Sequence, residues 1–183
     1  MDARKISTIT VLTALCIATN YALVGVYQVK VMDFIVFVGG FCLGPLAGAS
    51  IGIFSWLVYG AINPHGFVPQ IWLATMFSEP IYGLVGGLLG KKLSSTNFDD
   101  VRLRLSIFFG AIGFISTLFY DLVTNVVYAS VFEVSIIVAI FFGAPFTILH
   151  QVSNAAIFGV STVPVITVLE KLLGGERVGV SKK

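Results

Sequence analysis

Apolar residues in this chain come in runs of about 20 positions, separated by short polar stretches or glycine–proline breaks. No sustained alternation of polar and apolar positions is present, so the runs predict helices and not barrel strands. The first run covers residues 6–25, behind Arg4 and Lys5, and a linker at 26–32 carries Gln28 and Lys30. The stretch 33–60 is too long for one ordinary helix, and Gly44-Pro45 divides it into 33–43 and 45–60. Asn63-Pro64-His65-Gly66 is a turn signal. A fourth run, 68–90, ends at Lys91-Lys92, and a fifth covers 103–128. Residues 129–142 are apolar but short and contain Glu133, so they read as an outer cap or re-entrant loop. Gly143-Ala144-Pro145 then opens a sixth run, 145–173, with a kink at Pro164. The other possible division places a sixth run at 134–150 and a seventh at 155–169. The pattern predicts one all-α domain over residues 1–183, an integral membrane bundle of six transmembrane helices.

Composition agrees. The 183 residues are 57% hydrophobic and 11% charged, with a mean hydropathy of +0.98. A soluble domain carries roughly 25% charged residues, so lipid is the expected main solvent. A net charge of +2 suggests no nucleic-acid partner. Cys16 and Cys42 lie in apolar runs and no Cys/His cluster exists, so neither a metal, a disulfide framework nor a cofactor is expected. The basic-then-apolar N-terminus lacks a small-residue cleavage site and reads as a retained span. With both termini cytoplasmic, Arg4, Lys5, Lys91, Lys92, Arg102, Arg104, Lys171, Arg177, Lys182 and Lys183 all fall inside, and Lys30 alone outside. Seven spans would put one basic cluster on the wrong side.

Strongly polar residues inside the apolar runs are few: Asn20, Glu79, Asp121, Asn125, His150, Gln151 and Asn154. Such groups are costly in hydrocarbon and usually mark a solute or ion path. At 1.5 Å per residue they converge on one level, toward the outer half of the bundle. Asp121 and Asn125 share a helix face, as do His150 and Asn154. This predicts an outward-facing solute pocket, with Trp56, Tyr59, Trp72, Tyr82, Tyr120 and Tyr128 available to line it. Plainer roles exist for each. Asn20 suits an interhelical hydrogen bond, Asp121 a structural pair with His150, and Glu79 the backbone donors freed by Pro80. Trp56 and Trp72 suit an interfacial belt.

Small residues make a second pattern. Ala14, Ala18 and Ala22 recur on the first run, Gly40, Gly44, Gly48 and Gly52 around the second break, and Gly83, Gly86, Gly87 and Gly90 on the fourth. Spacing by four permits close helix approach in lipid. The glycines read as internal packing, and the alanines as a face open to another subunit.

Taken together, the Ala14-x-x-x-Ala18 pair, the segment Phe41-Cys-Leu-Gly-Pro-Leu-Ala-Gly48, Tyr120-Asp-Leu-Val-Thr-Asn125, and Pro145 followed by His150-Gln-Val-Ser-Asn154 resemble the substrate-binding S component of energy-coupling factor (ECF) vitamin transporters. The resemblance covers nearly the whole length. It implies a six-helix bundle that binds a vitamin or precursor near the outer face, with residues 26–32, 61–67 and 129–142 helping to close the site. It implies that Ala14 and Ala18 dock on a membrane coupling subunit, and that two separate ATPase subunits power uptake while the S component topples in the membrane. The chain has no Walker-type Gly-Lys-Ser/Thr loop, so it is not itself expected to hydrolyse ATP, and no catalytic residue is assigned. Two acids, Glu79 and Asp121, with Lys30 the one possible base, lean the expected solute toward a cationic or hydrogen-bond-donating ring, thiamine-like or pyrimidine-like. Other classes are a stand-alone secondary transporter driven by an ion gradient, a pure assembly subunit, and a membrane enzyme using Glu79, Asp121 and His150 as acid–base groups.

Overall fold

The computed structural model describes residues 3–64, 66–94, 98 and 101–172, the side chains of 170 and 172 excepted. Position 65, the basic residues 177, 182 and 183, and the expected span end at 173 lie outside the described residues. The described chain is all-helical: α1 Ala3–Ala22, α2 Val31–Leu43, α3 Pro45–Ala61, α4 Pro69–Ser78, α5 Pro80–Lys92, α6 Arg102–Val131 and α7 Ile136–Leu172.

Prolines set three of the boundaries. Pro45 and Pro69 occupy the first turns of α3 and α4, where the missing N–H leaves no bond unmade. Gly44 has φ +95°, a conformation that suits glycine, and makes the sharp turn between α2 and α3. Glu79 keeps helical dihedrals and donates its N–H to the Thr75 carbonyl, but Pro80 cannot continue the ladder. The expected fourth run is therefore one bent unit, α4 and α5, with Glu79 at the bend.

The third expected break is absent. α7 runs unbroken through Pro145 and Pro164, so it neither begins at Pro145 nor divides between 150 and 155. The physical reason is the number of backbone bonds at stake along a helix packed on α6. A proline inside a helix forfeits one backbone bond, whereas ending the helix there frees several backbone groups that would need new partners. Residues 129–131 complete α6 and α7 starts at 136, which leaves only a tight turn at 132–135 where a cap over 129–142 was expected. Glu133, at φ +52°, makes that turn.

α2 is the central element. Met32 to Phe41 and Leu43 are all buried, and α1, α3, α5 and α7 surround it. Glycines allow this density. A methyl group added at Gly40 meets the Gly83 carbonyl, and one added at Gly83 meets the backbone of Gly48, so α2, α3 and α5 approach backbone to backbone. Below that seam Phe37 packs on Phe158 and Phe109, with ring centroids 5.0 and 5.9 Å apart. α6 and α7 pair along their length and carry large exposed apolar side chains, among them Ile107, Ile137, Phe141 and Val160. Arg102–Val131 and the Ile136–Leu169 stretch of α7 are long and apolar enough to cross a membrane, and α2 and α3 are shorter apolar helices.

The chain connections sort the two ends of the bundle. The loops 23–30 and 62–68 and the turn 132–135 lie at one end. The α2–α3 turn, the start of α1, the end of α5 and the start of α6 lie at the other.

Candidate functional site

Three helices meet at His150. Its Nδ1 lies 3.0 Å from Asp121 Oδ1 on α6, and its Nε2 lies 2.9 Å from Asp33 Oδ2 in the first turn of α2. A ring nitrogen faces a carboxylate oxygen at such a distance only with a proton between them. The Asp33–His150–Asp121 bridge therefore holds two shared protons. Asn154, one turn along α7, donates to Asp33 Oδ2 and to Thr117 Oγ1, each at 2.7 Å. Thr117 also accepts the Tyr82 hydroxyl at 3.0 Å and passes its own proton to the Gly113 carbonyl. The network thus ties α2, α5, α6 and α7. Asp33, His150, Asn154, Thr117 and Tyr82 are all at most 1% exposed.

A second buried contact sits beside it. The Trp56 indole N–H donates to Glu79 Oε2 at 3.1 Å, and the Trp72 indole N–H donates to the Trp56 carbonyl at 3.0 Å. Glu79 thus bonds an indole, and neither tryptophan is merely a belt residue. Four buried oxygens of this region, Asp33 Oδ1, Glu79 Oε1, Asp121 Oδ2 and Asn154 Oδ1, have no protein donor.

Three hollows meet at Trp56. One of about 280 Å³ is lined by Asn20, Tyr27, Gln28, Lys30, Tyr59 and Asn63. The next, about 270 Å³, is lined by Lys30, Tyr120, Asp121, Thr124, Asn125 and Thr147. A third, about 320 Å³, lies against Gly60, Asn63, Trp72, Thr75, Tyr128 and Phe132. All three open at the bundle end that carries the loops 23–30 and 62–68 and the turn 132–135. These loops are tied down. Tyr21 donates its hydroxyl to the Ile62 carbonyl at 2.9 Å, Ser153 donates to the Gln28 carbonyl at 2.9 Å, and Tyr27 packs on Phe146. Gln28 is held at φ +56°, a strained value for a side-chain-bearing residue.

The residues expected to form one pocket thus separate into two layers. Asn20, Asp121 and Asn125 line the hollows. Glu79, His150, Gln151 and Asn154 are buried and line none of these three. The plainer roles hold for two of them. Asn20 donates to Met32 Sδ at 3.1 Å, and Asp121 pairs with His150. Asn125 donates to the Asp121 carbonyl at 2.8 Å and reaches Thr147.

Asp33 was missed. It sits at the expected boundary of its run, but α2 starts at Val31 and draws it inside. A lone acid opening an apolar run was the available signal. Lys30, the one possible base of the expected pocket, does reach the hollows, and its Nζ sits 5.4 Å from the Trp56 ring centroid and 5.2 Å from that of Tyr120. Ala14 and Ala18 are exposed on α1. Among the described residues no group of three or more His, Cys, Asp or Glu side chains is arranged to hold a metal ion.

Comparison with known proteins found no matching family model, no matching curated protein and no matching solved structure.

Proposed function

We propose that this protein is the membrane-embedded solute-binding subunit of an ATP-driven uptake transporter of the ECF type. It is a six-span S component with both termini in the cytoplasm, capturing a vitamin or vitamin precursor from outside. The observation that carries this reading is the set of hollows meeting at Trp56, covered by three short connections. Several features support it. The apolar side chains exposed on α6 and α7 suit lipid and would be a liability in water. Counting α4 and α5 as one bent span gives six passes. Arg4, Lys5, Lys91, Lys92, Arg102 and Arg104 lie at the end away from the hollows, and Lys30 lies at the hollows, which suits an outward-facing site. Exposed Ala14 and Ala18 offer a smooth face to a coupling subunit, whose two ATPase partners supply the energy.

The test is a thermal-shift screen of the detergent-solubilised protein against vitamins and their precursors. A true ligand raises the melting temperature by mass action. Asn125→Ala should weaken that ligand by about tenfold, the loss of a hydrogen bond or two. A screen in which no compound stabilises the protein defeats the proposal.

One observation favours a second reading, a secondary transporter working alone. The Asp33–His150–Asp121 bridge holds exchangeable protons beside a hollow. Vesicles containing only this protein would then accumulate solute on an imposed proton gradient. S components without their partners would not.

A further inference from the structure

We infer that the hollow beside Tyr120 takes a flat solute bearing an anionic group, held by Lys30. The inference rests on the solute-binding reading above and names the class of solute.

The charges that reach the hollows decide its sign. The sequence, with two acids against one base, leaned toward a cationic solute. The structure removes most of that negative charge from the cavity walls. Glu79 and Asp33 are each 1% exposed and line none of the three hollows. Asp121 does line one; its Oδ1 is engaged by His150, and its Oδ2, which has no donor, is buried away from the hollow. Lys30 lines two of the hollows. Among the described residues its ammonium has no ion pair and no hydrogen bond; it rests over two ring faces, and the buried Glu79 and Asp33 carboxylates act on it only through space. A half-buried ammonium in that state has three unused donors, and an anion is the group that uses them.

Shape supplies the rest. Trp56 and Tyr120 are stacked at an interplanar angle of 29° with centroids 6.5 Å apart. Both rings line the same hollow as Lys30, so they offer flat apolar faces to a solute held there. Each hollow is near the lower limit of about 300 Å³ for small-molecule clefts, which suits a solute of one or two rings. Thr124 and Asn125 on the far wall offer polar groups to its edge.

Lys30 is also held in place. The Gln28 backbone two residues earlier is strained, and Ser153 on α7 fixes the Gln28 carbonyl. The loop therefore presents Lys30 at a set position, as preorganised sites require.

The experiment compares wild-type protein with Lys30→Gln and Lys30→Arg in detergent. The ligand panel holds the vitamins and precursors of the first screen, sorted by charge. To these are added benzoate, indole-3-carboxylate and pyrimidine-5-carboxylate, each with its carboxamide, and benzylamine as a cationic control. Anionic compounds should bind best. Lys30→Gln should weaken them by about tenfold or more, the scale of a charge-assisted hydrogen bond. It should leave the carboxamides within about twofold, and Lys30→Arg should retain the acids. Melting temperatures without ligand check that each variant folds. Tightest binding by cationic or neutral compounds, or equal binding of acids by wild type and Lys30→Gln, overturns the anion assignment and leaves the binding site standing. A panel in which nothing binds, whatever its charge, overturns the solute-binding reading and this inference with it.

Discussion

His150 and Lys30 flank the same ring, Tyr120, one at 5.9 Å by ring centroid and the other at 5.2 Å from the ammonium. Their situations are opposite. Around His150 both ring nitrogens are engaged, Asn154 and Thr117 are saturated as donors, and the side chains are shut away from solvent apart from Asp121 at the edge of a hollow. Around Lys30 the side chains leave space between them, and the charge touches only ring faces and meets the buried carboxylates through space. The lower layer costs most if broken, because its partners cannot turn to water. The upper layer can lose a side chain with little harm to the fold. Polar residues in an apolar bundle thus do two jobs, and depth within the bundle separates them.

The largest effect expected from this contrast is at His150. His150→Ala strands two buried carboxylates and should destabilise the protein by about 3–5 kcal/mol. Lys30→Gln gives up two cation–π contacts and should cost no more than about 1–2 kcal/mol. Chemical denaturation in detergent measures both, and similar losses for the two variants would erase the distinction between layers.

Next comes the glycine seam, which anchors the far end of the same helices. Gly40→Ala forces a methyl group into the Gly83 backbone and should cost about 1–3 kcal/mol, read from the melting temperature. A neutral result would mean that α2 and α5 can part freely.

A smaller effect belongs to the loops over the hollows. Tyr21→Phe removes the bond to the Ile62 carbonyl and should cost about 1 kcal/mol. Its sharper signature is faster amide exchange at 62–68, with the network amides of α2 unchanged. Exchange that quickens equally in α2 would show that the loop and the lower layer open as one.

The smallest stability effect is expected at Thr124, whose hydroxyl bonds only backbone carbonyls of its own helix. Thr124→Val should stay within about 0.5 kcal/mol of wild type while weakening any solute that touches this wall. A large loss of stability would put Thr124 among the structural residues.

Much of the helix layout was legible because proline and glycine act locally. Gly44-Pro45 and Pro80 bend the backbone through the missing N–H and the tolerated positive φ, wherever they lie. Pro145 defeats that reasoning because its effect depends on surroundings. Packed along α6, a continuous α7 keeps more backbone bonds than a broken one. The site was legible at the level of residue type. Asn20, Asp121, Asn125, His150 and Asn154 are all at the end where the hollows lie, but nothing in their spacing says which one faces inward to Asp33. That depends on how α2 rotates against α7, and Asp33 and His150 are 117 positions apart. Lys30 was legible as the pocket's one possible base, but its place over Trp56 and Tyr120 depends on how the linker folds back on the bundle.

The uninterrupted length of α7 has a consequence of its own. Its 37 residues make a rod of about 55 Å, far longer than the hydrocarbon slab of about 30 Å. In a bilayer such a rod must lean, or push the ring of Phe146 and its neighbours up among the head groups. Lipids of longer or shorter acyl chain would then alter the lean and, through Tyr27 against Phe146, the roof of the hollow, with no change to the polypeptide.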